Sequence, residues 1–252
     1  MPESSRSPAG HTAEVLNSAV HRSGKILSVG IDIGGTFTDF IAINDRTGSI
    51  FNGKCLSTPG DPSVGLFEGL DDLLNRLSLS AESVGRIIHG TTIAANAVIE
   101  RKGAKTAYLT TKGFRDVVHM RTEARYDMYD LNFRFSEPLV PRHLCVELAE
   151  RTCFDGDILT PADPDEIRAI VNDLIRNHSI ESLAVCFLHS YVNPAHELLV
   201  EQIVQSEFGL DVSISSRLLP VIKEYERATT TIVDAYIKPT VQNYLNNVTE
   251  TL

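Results

Sequence analysis

Hydrophobic and polar positions alternate along the early part of the chain and then give way to helical spacing. "KILSVGIDI" (Lys25–Ile33) and "FTDFIAIND" (Phe37–Asp45) are β-rich runs separated only by Gly34, Gly35 and Thr36. "DRTG" (Asp45–Gly48) is a turn signal, after which "SIFNGKCLST" (Ser49–Thr58) returns as a third strand. The pattern predicts a strand–turn–strand–turn–strand meander. Asp61 before Pro62 reads as an N-cap with proline in the first turn, and Leu66, Leu70, Leu73, Leu74 and Leu77 follow at helical spacing.

From there strands and helices alternate. "RIIHGTT" (Arg86–Thr92) is a short strand, residues 92–103 a helix stopped by Gly103, "KTAYLTT" (Lys105–Thr111) a strand, and a further helix begins near Gly113. Residues 121–157 lack a regular period. An amphipathic helix at 163–180, a buried strand at 182–190, a helix at 193–208 opened by Asn193 and Pro194, and a strand at 211–216 come next. The chain then reads as largely helical from Ile222, interrupted at Pro239. This order predicts an α/β fold with one mixed sheet.

Composition narrows the partners. The 252 residues carry 23 Lys and Arg against 33 Asp and Glu, a formal net charge of -10, which excludes a general nucleic-acid binder. It does not exclude ATP, because phosphate sites are made locally from backbone N–H groups and a metal ion. The four cysteines, Cys55, Cys145, Cys153 and Cys186, form no C-x-x-C pair and read as reduced thiols. No apolar run has bilayer length, and the first two dozen residues lack the apolar centre of a secretory signal, so the expectation is a cytoplasmic protein without membrane contact.

The candidate chemistry begins at "DIGGTFTD". A tight turn there calls for residues that tolerate positive φ, and leaves backbone N–H groups facing an anion. Thr36 and Thr38 would add rim donors, and Asp32 would face phosphate through Mg²⁺. The alternative reading of Gly34-Gly35 is a plain hairpin. His89, Gly90, Thr91 and Thr92 stand where a strand gives way to a helix, a place suited to phosphate or substrate. Arg125 lies in an Arg- and Tyr-rich stretch able to recognise an acidic or amide-bearing ring, or to form surface ion pairs. His189 and His196 lack a zinc spacing. Glu224 and Arg227 are three apart, as an intrahelical ion pair would be, while Glu226 or Arg227 facing a cleft would orient substrate or water.

Four blocks, "GIDIGGTFTD", "HGTTIAANAVIERKGAKTAYLTTKGFRDV", "AVCFLHSYVNPAHE" and "SSRLLPVIKEYERATTTIVDAYIKP", resemble the N-terminal region of the hydantoinase/oxoprolinase family, within the actin-like ATPase superfamily. The resemblance implies an RNase H-like half: a mixed sheet opened by the meander, with helices on both faces. It implies a polar tail at 1–25, the family domain at 26–225, and a helix at 226–252 leading toward a second ATPase half that is absent here. It further implies ATP-dependent opening of a cyclic amide such as hydantoin or 5-oxoproline. ATP and Mg²⁺ would sit at Asp32, Gly34, Gly35, Thr36 and Thr38, substrate at His89, Gly90, Thr91, Thr92 and Arg125, with catalytic roles for Asp32, Glu226 and Arg227. A second half or partner subunit would complete the cleft, in an oligomer. Ketone carboxylation, sugar phosphorylation and a non-catalytic interaction module are the alternatives.

Overall fold

The computed structural model describes residues 25–58, 60–122, 129–130 and 132–251. They form two compact units, one made of the residues up to Ile93 with those from Asn247 onward, the other of Ala94–Asn246.

In the first unit, β1 (Leu27–Ile33), β2 (Phe37–Asn44), β3 (Ile50–Leu56) and β4 (Val84–Thr91) form a mixed sheet in the order β3-β2-β1-β4. The β1/β2 and β2/β3 pairs are antiparallel and β1/β4 is parallel. Helix α1 (Pro62–Arg76) starts where the Asp61 carboxylate accepts the Ser63 N–H at 3.0 Å. It buries Leu66, Leu70, Leu73 and Leu74 together with Val29, Ile31, Phe40 and Ala42 of the sheet. Gly69 lets the helix backbone close onto Phe40, since a Cβ there would lie 2.4 Å from the ring. Period 2 sends the alternate residues of these strands to the opposite face, which stays open to solvent.

In the second unit, α2 (Ile93–Ile99, starting in the first unit) precedes β5 (Thr106–Thr111), α3 (Val117–Met120), β6 (Cys145–Leu148), β7 (Arg151–Thr152) and β8 (Ile158–Thr160). Then come α4 (Pro164–His178), β9 (Ser182–Cys186), α5 (Ala195–Ile203, prolonged by a π turn to Phe208), β10 (Asp211–Ile214), α6 (Ser215–Leu218) and α7 (Glu224–Thr251). The sheet runs β10-β9-β5-β6 and is parallel throughout, while β7 and β8 make a separate hairpin. Every residue of β5 and β9 is buried, as a sheet covered on both faces requires. α3, α4, α5 and α7 all contribute to its core.

The expectation of one mixed sheet with helices on both faces is therefore corrected. The strands separate into a mixed sheet covered on one face and a parallel sheet covered on two. The difference is visible in burial: β1 and β2 alternate, whereas every residue of "TAYLTT" and "SLAVC" is buried, with Thr106 and Thr110 hydrogen-bonded inside. The last helix is also unbroken at Pro239. Three residues earlier, the Tyr236 carbonyl accepts a hydrogen bond from Ala104 N–H at 2.9 Å, outside the helix. Gly103 is no helix stop, since α2 already ends at Ile99. A Cβ on Gly103 would lie 2.1 Å from the Tyr236 ring, so the glycine is there for close packing. The short β6 and β7 lie in the stretch that shows no period in the sequence, and β8 follows directly after it.

Candidate functional site

Register brings the glycine turn and the "HGTT" block together. Asp32 pairs with Gly90 and Ile33 with Thr91 along the parallel β1/β4 ladder. The Ile33 carbonyl accepts the Thr92 N–H at 3.1 Å and lies 3.4 Å from both the Thr91 and Thr92 hydroxyls. The two threonines thus fasten the strand end that leads into the turn. Thr91 Oγ1 also accepts the Ile93 N–H at 3.2 Å, capping α2, a helix of only seven residues. Its hydroxyl thus also serves the fold.

The turn itself is held by a latch. Gly34 N–H donates to the Phe37 carbonyl at 3.0 Å, and Ser57 N–H to the Thr36 carbonyl at 2.9 Å. Ser57 Oγ donates to the Gly34 carbonyl at 2.7 Å and lies 3.0 Å from Thr38 Oγ1. Thr38 is fully buried, so it stands beneath the turn and supplies no rim donor, a correction that follows from its place on the inward side of β2. A second correction concerns the glycines. Positive φ occurs at Gly48, Gly113, Gly156 and Gly209, not at Gly34 or Gly35. Gly34 sits in a tight spot instead, since a Cβ there would lie 3.1 Å from the Phe37 carbonyl. The N–H groups of Gly35 and Thr36 are exposed and have no hydrogen-bond partner among the described residues. Asp32 is exposed on the open face, 3.9 Å from where a Gly90 Cβ would be, and no ion pair engages it among the described residues.

His89 is separated from this group by the pleat. It alternates with Ile88 and Gly90 and therefore points to the side of β4 opposite Asp32. Partial burial lowers its pKa below the ordinary histidine value. Arg125 lies outside the described residues.

Glu226 and Arg227 belong to the second unit, and the expected Glu224–Arg227 ion pair is absent among the described residues. Arg227 is 1% exposed. It donates to Ser190 Oγ at 3.1 Å, to the Phe187 carbonyl and to the Cys186 thiol, with Tyr191 against its guanidinium at 5.3 Å from the ring centre. Its Nε has no partner. Glu226 is half-exposed and 3.6 Å from Lys223. Arg227 is thus a buried tie between α7 and the end of β9.

A model of the hydantoinase/oxoprolinase N-terminal region matches residues 28–208. The chain belongs to this family. The caprolactamase alpha subunit of Pseudomonas jessenii is 34% identical over 87% of this chain, and the solved structure of that ATP-dependent enzyme superposes with a TM-score of 0.78 at 33% identity over 88% of this chain and 33% of that one. The 5-oxoprolinase of Dictyostelium discoideum is 33% identical over 90% of this chain. Nucleotide-free acetone carboxylase superposes with a TM-score of 0.77 at 30% identity, covering 90% of this chain and 34% of that one. The chain spans 32% of the caprolactamase subunit and 20% of the 5-oxoprolinase.

In this hydantoinase/oxoprolinase domain, sequence reasoning missed several polar groups. Ser57, the latch, looks in the sequence like any strand-end serine. Glu197 is fully buried and accepts from Phe187 N–H at 2.9 Å, Ser215 Oγ at 2.7 Å and Ser216 N–H at 2.8 Å. Ser215 meets Ser190 at 3.1 Å, which links Glu197 to Arg227 through two hydroxyls. His196 Nε2 accepts the Ala162 N–H at 3.3 Å, so its proton is on Nδ1 and donates to Glu150 at 2.7 Å. A signal existed: Glu197, Val200 and Val204 share one helical stripe, as do Arg227, Thr231 and Ala235. A charge on an apolar stripe marks a buried polar network.

Proposed function

We propose that this chain is the N-terminal part of an ATP-dependent cyclic amidase, in which the turn from Asp32 to Thr36 receives the nucleotide's phosphates. The observation that carries the reading is the pair of N–H groups at Gly35 and Thr36 that have no partner among the described residues, beside a carboxylate at Asp32 that none of those residues engages. Amides without protein partners at a rigid turn bind anions. The order β3-β2-β1-β4, with β4 parallel to β1, supports an RNase H-like half as the frame. We assign residues 26–225 to the family's domain and 226–252 to a connecting helix, as part of a soluble, cytoplasmic, oligomeric enzyme completed by further polypeptide.

Asp32 fits Mg²⁺, a hard cation that takes one or two carboxylates and fills its other positions with phosphate oxygens and water. Among the described residues no group of three or more His, Cys, Asp or Glu side chains gathers, so Asp32 would hold the ion jointly with the nucleotide. When bound, the ion neutralises charge on the phosphates. The turn's amides would hold those phosphates in place, and positioning is most of what phosphoryl transfer demands.

A lactam is a poor electrophile. In the proposed reaction its carbonyl oxygen attacks the γ-phosphorus, the bond to the β-phosphate breaks, and ADP departs. Water then adds to the activated carbon and the ring C–N bond opens, leaving an acyl phosphate that a second water hydrolyses. Thr91 and Thr92 position the turn through Ile33, while Gly90, bare of side chain beside Asp32, leaves room there. Glu226 is reachable by solvent, and Arg227 acts as a positioning residue for the end of β9.

The test is thermal melting with and without Mg-ATP. Wild-type chain is expected to be stabilised, and Asp32→Ala to lose the shift with its own melting temperature unchanged. An equal shift in both proteins rejects the assignment, and no shift in wild type favours a non-catalytic module. Ketone carboxylation is the second reading, favoured by the likeness to acetone carboxylase. In a completed enzyme, ADP release that depends on ketone and bicarbonate but not on lactam would establish it.

A further inference from the structure

The open face of the mixed sheet carries six large apolar side chains, interspersed with Asp39, Lys54, Asn52 and Arg86. β2 sends Phe37, Ile41 and Ile43 outward, and Thr38, Phe40 and Ala42 toward the helix. Register extends the outward set across three strands. Ile43 stands beside Ile50, Phe37 beside Leu56, and Ile41 is separated from Ile88 only by Gly30. Ile50, Leu56 and Ile88 are 65%, 69% and 62% exposed. A sheet with one solvated face ordinarily alternates apolar inside with polar outside. Here the outward side keeps the Asp39–Lys54 ion pair but also exposes Phe37, Ile41, Ile43, Ile50, Leu56 and Ile88, more apolar surface than a solvated face needs.

The relief of the face says what shape covers it. Along β1 the outward positions are Ser28, Gly30 and Asp32, all short, flanked by the isoleucines of β2 on one side and Ile88 on the other. A Cβ on Gly30 would meet nothing nearer than the Ile41 carbonyl at 3.7 Å. The result is a trough floored by Ser28, Gly30 and Asp32, with aliphatic walls at Ile41, Ile43 and Ile88 and charged ends at Asp39 and Arg86. The trough fits the stripe of an amphipathic helix, as the other face is filled by α1.

We infer that this face is a docking surface for polypeptide equivalent to the part of the longer relatives that this chain does not match. That part is the committed occupant because the chain spans only about a third of the caprolactamase subunit and of the solved acetone carboxylase chain, which leaves two thirds of each as protein able to lie on it. The inference rests on family membership and on the exposed aliphatic residues, and not on the phosphate turn. Association without nucleotide therefore tests it separately from the Mg-ATP assignment.

The experiment co-expresses this chain, tagged, with the unmatched part of the Pseudomonas jessenii caprolactamase alpha subunit, and reads co-purification and size exclusion without nucleotide. A one-to-one complex is expected. Ile41→Asp with Ile88→Asp should weaken it at least tenfold while the variant chain keeps its wild-type circular dichroism and melting temperature. Leu159→Asp, at an equally exposed leucine in β8, should leave the complex intact. The inference is overturned if wild-type chain forms no complex, if it pairs with itself through this face instead, if the complex survives the double substitution, or if Leu159→Asp breaks it equally.

Discussion

The mixed sheet and the parallel sheet handle polar groups in opposite ways. Around the mixed sheet, Asp32 and the amides of Gly35 and Thr36 are exposed and meet no partner among the described residues, beside an aliphatic face that none of the described residues covers. Around the parallel sheet, Glu150, Glu197 and Arg227 are buried and tied to neighbours from several elements. Groups left unsatisfied at a surface are available to a ligand, whereas groups satisfied inside stiffen what holds them. On the proposed reading the first unit carries the binding chemistry, and the second unit's charges serve its own rigidity.

The sharpest way to break this contrast is Glu197→Ala. The substitution strands two N–H groups and the Ser215 hydroxyl in the core and removes the carboxylate linked to Arg227 through the serines. Breaking a buried charge network by removing one member costs about 3–5 kcal/mol. Urea unfolding should show a loss of that size. A loss below about 1 kcal/mol would mean the network is not the unit's fastening.

Gly103→Ala comes next. Its added methyl overlaps the Tyr236 ring, and overpacking of this kind costs about 1–3 kcal/mol. Adding Tyr236→Ala should recover part of the loss relative to Tyr236→Ala alone, because the clash is gone; simple additivity in the double-variant cycle would show that the two do not meet.

Asp32→Ala marks the other pole. An exposed residue that anchors nothing should change stability by no more than about 0.5 kcal/mol. A larger loss by denaturant titration would put Asp32 among the fold's fastenings and erase the distinction between the units.

What could be read from the sequence follows the same division. Helix α1 was legible because Asp61 and Pro62 announce its start, and the structure shows the cap. Asn193 likewise caps the next turn, accepting the Ala195 N–H at 3.1 Å. The family blocks located the turn. The sequence could not say which side of β2 faces inward, since Phe37, Ile41 and Ile43 make a better core stripe than Thr38, Phe40 and Ala42. Hence Thr38 was misplaced. His89 was read with Gly90 as one cluster, though adjacent residues on a strand face opposite ways. β6 to β8 are two to four residues long, too short for a period to register.

The smallest effect is a pH dependence, and it compares one histidine from each unit. Burial lowers the pKa of His89 in β4 and of His119 in α3, and for His119 Arg142 and Arg121 add to the lowering while Asp116 opposes it. A histidine whose folded pKa lies below its unfolded value of about 6.5 binds its proton more readily unfolded. Its contribution to stability is therefore complete above pH 6.5 and is lost as pH falls from there through the folded value. Melting temperature should decline from pH 7 to pH 5.5. His89→Gln and His119→Gln should each flatten part of that slope, and the two together more than either. His119 Nδ1 is buried without a hydrogen-bond partner among the described residues, so protonation there meets no acceptor among them. The tighter unit should give the larger flattening; the reverse order would show that the edge of the mixed sheet is less forgiving than its exposure suggests.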